Sequence, residues 1–269
     1  MAGTLPAVAR RVKRPGCYAG GTVRLRVLSY NIHRAIGVDR RFRPERISSI
    51  LGYYNPDVAI LQEVDDGAPR SREMDLGKEL ARALGYEHYA IGHNVTLRKG
   101  RYGNATLSRW PIQRERNIDL TVGFLRRRGC QHTRIGVRTP SGKTRRLEVF
   151  NLHLGLSARE RERQVALLAR SREFASLPFG ALTIVAGDYN DWRSLLRPFF
   201  VDLLGFRSAT GGNAEGERAI ATFPSFFPQG SLDRIYHRGP LRVAAAKRCR
   251  LALSRVASDH LPVIVDFDL

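Results

Sequence analysis

The stretch LTIVAGDYND, Leu182 to Asp191, sets the reading of the whole chain. Its apolar run, Leu182 to Ala186, is too short for a helix and does not alternate, which is the pattern of a strand buried on both faces. Such a strand needs a covering layer on each side and so points to a sheet-containing α/β chain. Asp188 and Asn190 follow at its end, two positions apart. In an extended segment that spacing directs both side chains to the same side. An Asx-type turn over the same G-D-x-N is the competing reading.

Outward from that stretch the arrangement repeats. Arg24 to Ile32 alternates and delivers Asn31 and His33 in SYNIH; Val58 to Leu61, in LQEV, ends at Glu63. Leu147 to Leu154 carries His153 in NLHLG, Leu232 to His237 holds Asp233, and Leu261 to Phe267 starts directly after Asp259 and His260 in SDHLP. Asn104 to Leu107 forms a further strand. Between them, Pro44 suits a first helical turn and Ile47, Ile50, Leu51 and Tyr54 share one face until Asn55 and Pro56 stop the helix. A second helix is predicted over Arg72 to Leu84 with Gly85 as its stop. A third is predicted from the Ser157–Glu160 capping box to about Phe174. Strands thus alternate with helices through the first two thirds, and the chain is irregular around Gly211 to Gly230.

The 269 residues, 43% of them hydrophobic, suffice for one large domain, taken as 23–269. Residues 1–22 are predicted to be a mobile basic arm by composition. The net charge of +20 favours a polyanionic partner, nucleic acid or an anionic membrane surface. Only five of the 45 basic residues are Lys, and an Arg bias of that kind also arises from coding preference, leaving a merely solvated basic surface as the alternative. The cluster Arg126, Arg127, Arg128 can attract phosphate but has no interleaved aromatics for base stacking. Cys17, Cys130 and Cys249 are odd in number and unpaired in spacing, which supports neither a disulfide framework nor a zinc knuckle and fits a reducing, cytoplasmic setting best. No apolar run has the length of a membrane span or a signal-peptide core.

Phosphoester hydrolysis requires neutralised phosphoryl oxygens, an activated water and a stabilised leaving oxygen. Mg²⁺ retains several waters, so one or two carboxylates with an amide nearby are enough to hold it; Glu63 leads as its ligand. Asp188 can take a proton from the attacking water while Asn190 donates to the phosphate or the water. His260 as an imidazolium can offset negative charge if a carboxylate orients it. Asp233, an acid inside an apolar stretch and hence in need of a buried partner, fits that part. His153 can bind phosphoryl oxygens. The other histidines are read as core or surface residues.

These motifs, in this order, resemble the endonuclease/exonuclease/phosphatase superfamily, the deoxyribonuclease I-like group, over about Arg24 to Phe267. NIHRAIG, YGNATLSRWPI, NLHLGLSARERERQ and LDRIY followed by ASDHLP are similar to its small bacterial metal-dependent hydrolases. The resemblance implies a four-layer α/β sandwich of two packed mixed sheets flanked by helices. It implies metal binding at Glu63 and Asn31, with Asp259 beside them, and a Mg²⁺ or Mn²⁺ cofactor. It also implies catalytic parts for Asp188, Asn190, Asp233, His153 and His260, and substrate contact by Asn104.

The expected activity is a metal-dependent phosphodiesterase working by direct water attack, on nucleic acid or on a phospholipid head group, with a small soluble phosphoester third. Phe223, Phe226 and Phe227 are read either as a membrane-facing lip or as loop anchors. Peripheral membrane contact is open and no feature demands an obligate protein partner. A non-catalytic basic polyanion-binding module on the same fold is the alternative.

Overall fold

The computed structural model describes residues 5, 23–211 and 219–269. In chain order the elements are β1 (Arg24–Asn31), α1 (Pro44–Tyr54), β2 (Val58–Asp66), α2 (Leu76–Leu84), β3 (His88–Thr96), β4 (Arg101–Ser108), β5 (Ile112–Asp119), β6 (Gly129–Arg138), β7 (Thr144–His153), α3 (Ala158–Arg170), α4 (Arg172–Ala175), β8 (Leu182–Asp188), β9 (Arg207–Ser208), β10 (Asp233–Arg238), β11 (Arg242–Arg248), α5 (Ser254–Ala257) and β12 (Val263–Asp268). They build two six-stranded mixed sheets, ordered β11-β12-β1-β2-β4-β3 and β5-β6-β7-β8-β10-β9.

Three apolar clusters make this a four-layer α/β sandwich. Val27, Ile60, Val149, Ile184, Ile235 and Val265 belong to the cluster where the two sheets face each other. The outer face of the first sheet packs Leu28, Tyr30 and Leu61 against Ile47 and Leu51 of α1 and Leu76 and Leu80 of α2. On the second sheet, Phe150, Leu152 and Val185 pack against Val165 and Leu168 of α3 and Phe174 of α4. Strands buried on both faces, such as β8, whose run Leu182 to Ala186 is interrupted only by Thr183, are mostly apolar for that reason.

Local signals explain most boundaries. Pro44 opens α1, and Asn55 closes it in the left-handed conformation at φ 47°. Helix α2 begins later than predicted, because Arg72 and Glu73 have positive φ and the Asp75 side chain accepts the Lys78 N–H at 3.0 Å as the cap. The Ser157 hydroxyl accepts the Glu160 N–H as expected, but α3 stops at Arg170; extended Ser171 breaks it before α4.

Strands and helices do not alternate through the first two thirds as predicted. Five strands, β3 to β7, follow one another from His88 to His153 without an intervening helix. Antiparallel neighbours within a sheet need only turns, and β4 passes directly to β5 of the other sheet, so no crossover helix is required.

Of the arm predicted over 1–22, all but Leu5 lies outside the described residues. Leu5 is buried against the first outer cluster, its N–H donates to Glu79 Oε2 at 3.3 Å, and its carbonyl accepts from Arg82. Cys17 also lies outside the described residues, while Cys130 and Cys249 are free and buried. Among the described residues no helix is long and apolar enough to cross a membrane.

The topology gathers six chain segments at one end of the sandwich. β1 runs parallel to β2 and β7 parallel to β8, so four strands end there. β10 is antiparallel to β8 with Asp233 opposite Asp188, and the segment entering β12 arrives from the same side beside β1. Beneath that end a polar network ties the sheets together. Gln62 Nε2 donates to Asn151 Oδ1 at 2.8 Å, and Asn151 Nδ2 donates to the Leu61 and Ala105 carbonyls.

Four residues along β10 from Asp233, His237 is buried with its ring edge on Phe267. Burial, with Arg207 adding, pulls its pKa down to about 4, whereas the unfolded chain protonates near 6.5. The folded state refuses a proton that the unfolded state accepts, so this contribution to stability is complete above about pH 6.5 and is lost as pH falls through about 4. The loss reaches about 3 kcal/mol. Thermal unfolding of His237→Gln against wild type should show the smaller acid destabilisation in the variant; parallel curves from pH 7 to 4 would remove His237 from the account.

Candidate active site

Asp188 is the hub. Gly187 before it has φ 146°, and a Cβ there would lie 1.9 Å from the Leu152 carbonyl, so only glycine lets β8 pass this close to β7. Asp188 Oδ1 accepts the Asn190 N–H at 2.9 Å, with Asn190 at φ 51°. The segment is therefore the Asx turn rather than an extended pair. The turn leaves Asp188 Oδ2 directed at three partners. Asn31 Nδ2 donates to it at 3.0 Å, His153 Nε2 stands at 3.5 Å and His260 Nε2 at 3.6 Å. Asn190 Nδ2 donates to the Leu154 carbonyl at 3.0 Å, which leaves its second hydrogen and its Oδ1 for a substrate.

His260 is held from behind. Its Nδ1–H donates to Asp233 Oδ2 at 2.8 Å, and the Thr222 hydroxyl donates to the same oxygen at 2.5 Å. Phe223 lies against the ring at 4.9 Å between centroids and in turn carries Trp192 at 5.5 Å. Phe223 is thus an anchor, whereas Phe226 and Phe227 are exposed. Ser258 fixes the approach to β12: its hydroxyl donates to the Asn31 carbonyl at 2.7 Å and accepts the His260 N–H at 3.2 Å.

The electrostatics divide these groups into distinct states. Burial works against the His260 charge, but Asp233 and Asp188 overcome it and raise its pKa to about 10, so the ring is an imidazolium at neutral pH. Burial lifts Asp188 to about 6 against the pull of that imidazolium. His153 is driven well below its ordinary value by burial first and then by Arg128, His260, Arg126 and Arg34. It is a neutral imidazole. One buried cation, one carboxylate poised near neutrality and one neutral ring therefore share a single point, the combination that acid–base chemistry at an anionic centre uses.

Glu63 reaches the same end by a device absent from the prediction. β2 does not close there but continues to Asp66 through a bulge, with the register to β4 shifting between Leu61 and Val64 and Glu63 itself at φ 56°. A non-glycine residue in that region costs about 1–3 kcal/mol, and bulges re-aim side chains beside active sites. Glu63 Oε2 is buried with no hydrogen-bond partner, and Arg34 Nε faces it at 3.3 Å. An orphaned carboxylate oxygen with the Asn31 amide at the neighbouring strand end is an oxygen-only donor set of the kind Mg²⁺ or Mn²⁺ takes, so these residues fit the expected metal. Among the described residues no three Asp, Glu, His or Cys side chains are arranged to hold a metal ion by themselves. Asp259 is the more open of the expected ligands, its side chain 36% exposed and Oδ1 3.9 Å from His33 Nδ1.

Asn104 is 1% exposed and donates through Nδ2 to the Gly129 and Asn151 carbonyls at 3.2 and 3.0 Å. Both amide hydrogens are engaged, so only its Oδ1 is left to meet a substrate. Thr222, Ser258, Arg34 and Arg128 join the residues predicted for the site. Arg34 sits inside NIHRAIG, Ser258 inside SDHLP and Arg128 inside the basic cluster, so each has a sequence signal; Thr222 has none.

The model of the Endonuclease/Exonuclease/phosphatase family matches residues 28–260, a span that contains all nine predicted site residues. The chain belongs to this family. Family membership places it among phosphoester hydrolases. The uncharacterized protein YbhP of Escherichia coli K12 is 32% identical over 257 residues, covering 91% of this chain and 96% of YbhP, and its Shigella flexneri counterpart matches equally. The family fold recurs in solved structures. An endonuclease/exonuclease/phosphatase from Beutenbergia cavernae has TM-score 0.73 and 21% identity, covering 91% of this chain and 72% of that one. The Bacteroides thetaiotaomicron mannosyl-6-phosphatase Bt3783 has TM-score 0.70 and 19% identity, covering 90% and 99%.

Proposed function

We propose that the protein is a divalent-metal-dependent phosphodiesterase that hydrolyses its substrate by direct attack of water, without a covalent intermediate. The observation that carries this is the convergence of Asn31, His153 and His260 on Asp188 Oδ2, with Asp233 2.8 Å behind His260. Asp188 orients the water and takes its proton at Oδ2. Asn190 and neutral His153 donate hydrogen bonds to phosphoryl oxygens. The His260 imidazolium, its Nδ1–H committed to Asp233, presents Nε2–H to the charge that grows on the phosphoryl group. Glu63 and Asn31, with Asp259 at the rim, would hold the metal, which supplies neutralisation of phosphoryl oxygens and a lowered pKa for bound water.

The substrate carries a phosphodiester with an apolar or aromatic portion beside it, a phospholipid head group or a nucleic acid. Exposed Trp192, Phe226 and Phe227 support that reading, since they lie on the segments that carry Asn190 and Phe223. The same residues are suited to peripheral contact with a membrane.

Purified protein with Mg²⁺ and Mn²⁺ should be assayed on plasmid, abasic oligonucleotide, sphingomyelin and phosphatidylglycerol vesicles and inositol phosphates, with Asp188→Ala as blank. Turnover of at least one is expected to fall to the blank on adding EDTA and to return with excess Mg²⁺. Salt-sensitive binding of polyanions that survives EDTA, with no turnover of any substrate, would instead identify a binding module.

A further inference from the structure

Arg128 ends the connection from β5 to β6 and is only 6% exposed. The other buried arginines share an unpartnered Nε with it, but their terminal nitrogens are held. Arg161 donates to the Leu156 carbonyl at 2.6 Å and lies 3.6 Å from Asp191. Arg234 donates to Ser194 at 2.8 Å, and Arg238 donates to the Leu204 carbonyl at 3.1 Å and lies over the Phe206 ring. Among the described residues the Arg128 guanidinium makes no hydrogen bond and no ion pair, and its Nε is sealed from solvent without a partner.

Its surroundings make that isolation costlier. Arg126 stands close by, donating to the Tyr102 hydroxyl at 3.1 Å and lying over its ring. Arg128, Arg126 and Arg34 all act electrostatically on His153, Arg128 foremost, and all three act on Tyr102. The acid acting on Tyr102, Glu63, already faces Arg34. The buried Arg128 charge therefore lies within electrostatic reach of His153, and among the described residues no acid pairs with it. A buried cation without a counter-charge is strongly unfavourable, and a guanidinium fork matches the oxygens of a phosphate.

We propose that Arg128, assisted by Arg126, forms an anion subsite beside His153 that binds a phosphate group without the aid of a metal. Only the choice of phosphate as the anion rests on the phosphoester-hydrolase reading. The subsite ties the flank of the cleft to substrates with negative charge at that position, and it gives the basic cluster a specific use beyond its bulk charge.

Thermal unfolding of the EDTA-treated protein, titrated with inorganic phosphate at constant ionic strength, tests this. Wild type should rise in midpoint with phosphate by mass action. Arg128→Met should lose that rise while unfolding, in phosphate-free buffer, at or above the wild-type midpoint, because the uncompensated charge is gone. Arg128→Lys keeps the charge without the fork and should bind phosphate at least fivefold more weakly. The exposed control Arg127→Met should follow wild type. A flat wild-type response, or an undiminished response in both Arg128 variants, overturns the subsite and leaves metal-dependent turnover untouched. Absence of turnover on every substrate, with an Arg128-dependent phosphate response intact, would overturn the hydrolase reading alone.

Discussion

Asp188→Asn is expected to lower kcat by about 10²–10⁴-fold, the usual contribution of a positioned general base. The substitution keeps the volume of the side chain, and its single oxygen can still accept the Asn190 N–H that closes the Asx turn at 2.9 Å. That oxygen can no longer also accept from Asn31 Nδ2, so the variant should be about 1–2 kcal/mol less stable. That loss leaves the protein folded. Turnover on the substrate identified by the screen, read beside the unfolding midpoint, separates the two effects. Wild-type kcat in a folded Asp188→Asn protein would remove Asp188 from the chemistry and, with it, the convergence that defines the site.

How much of this was legible in the sequence follows from where each signal lay. A strand buried on both faces is mostly apolar and does not alternate, so β8 and the start of β2 were visible, and the polar residue that ended each run marked the working edge of a sheet. The pairing of Asp233 with His260 was legible for a thermodynamic reason, since a carboxylate inside an apolar strand must be matched by a buried cation or donor. The edge strands were not legible. β5 reads Ile-Gln-Arg-Glu-Arg-Asn-Ile-Asp with only Ile112, Arg114 and Ile118 partly covered, and β11 is exposed along most of its length, so neither has the apolar run that a periodicity argument needs. The bulge at Glu63 was hidden because a glutamate gives no advance sign of positive φ; the conformation is imposed by pairing with β4. Thr222 lies eleven residues before Asp233 in an irregular segment, and nothing local in that segment foretells its hydroxyl on the Asp233 carboxylate.

That hydroxyl matters for the second large effect. His260→Ala should cost about 10²–10³-fold in kcat, the loss typical of one preorganised donor facing developing charge. Asp233→Asn should cost less, about tenfold or more, because the ring stays in place with a neutral acceptor behind it while its charge loses its nearest counter-ion. Asp233 raises the pKa of His260, so its neutralisation should let the imidazole titrate lower, a shift that NMR of the ring protons would register. If Asp233 acts only through His260, the double variant should be no slower than His260→Ala within about two- to threefold. Additive losses would show that Asp233 does separate work at the reacting centre. Register allows that outcome a place, since Asp233 lies directly opposite Asp188 and its Oδ1 is buried without a hydrogen-bond partner. The near-additive result would therefore redirect attention to that free oxygen, and the non-additive one would fix Asp233, with Thr222 behind it, as the positioning group of a single imidazolium.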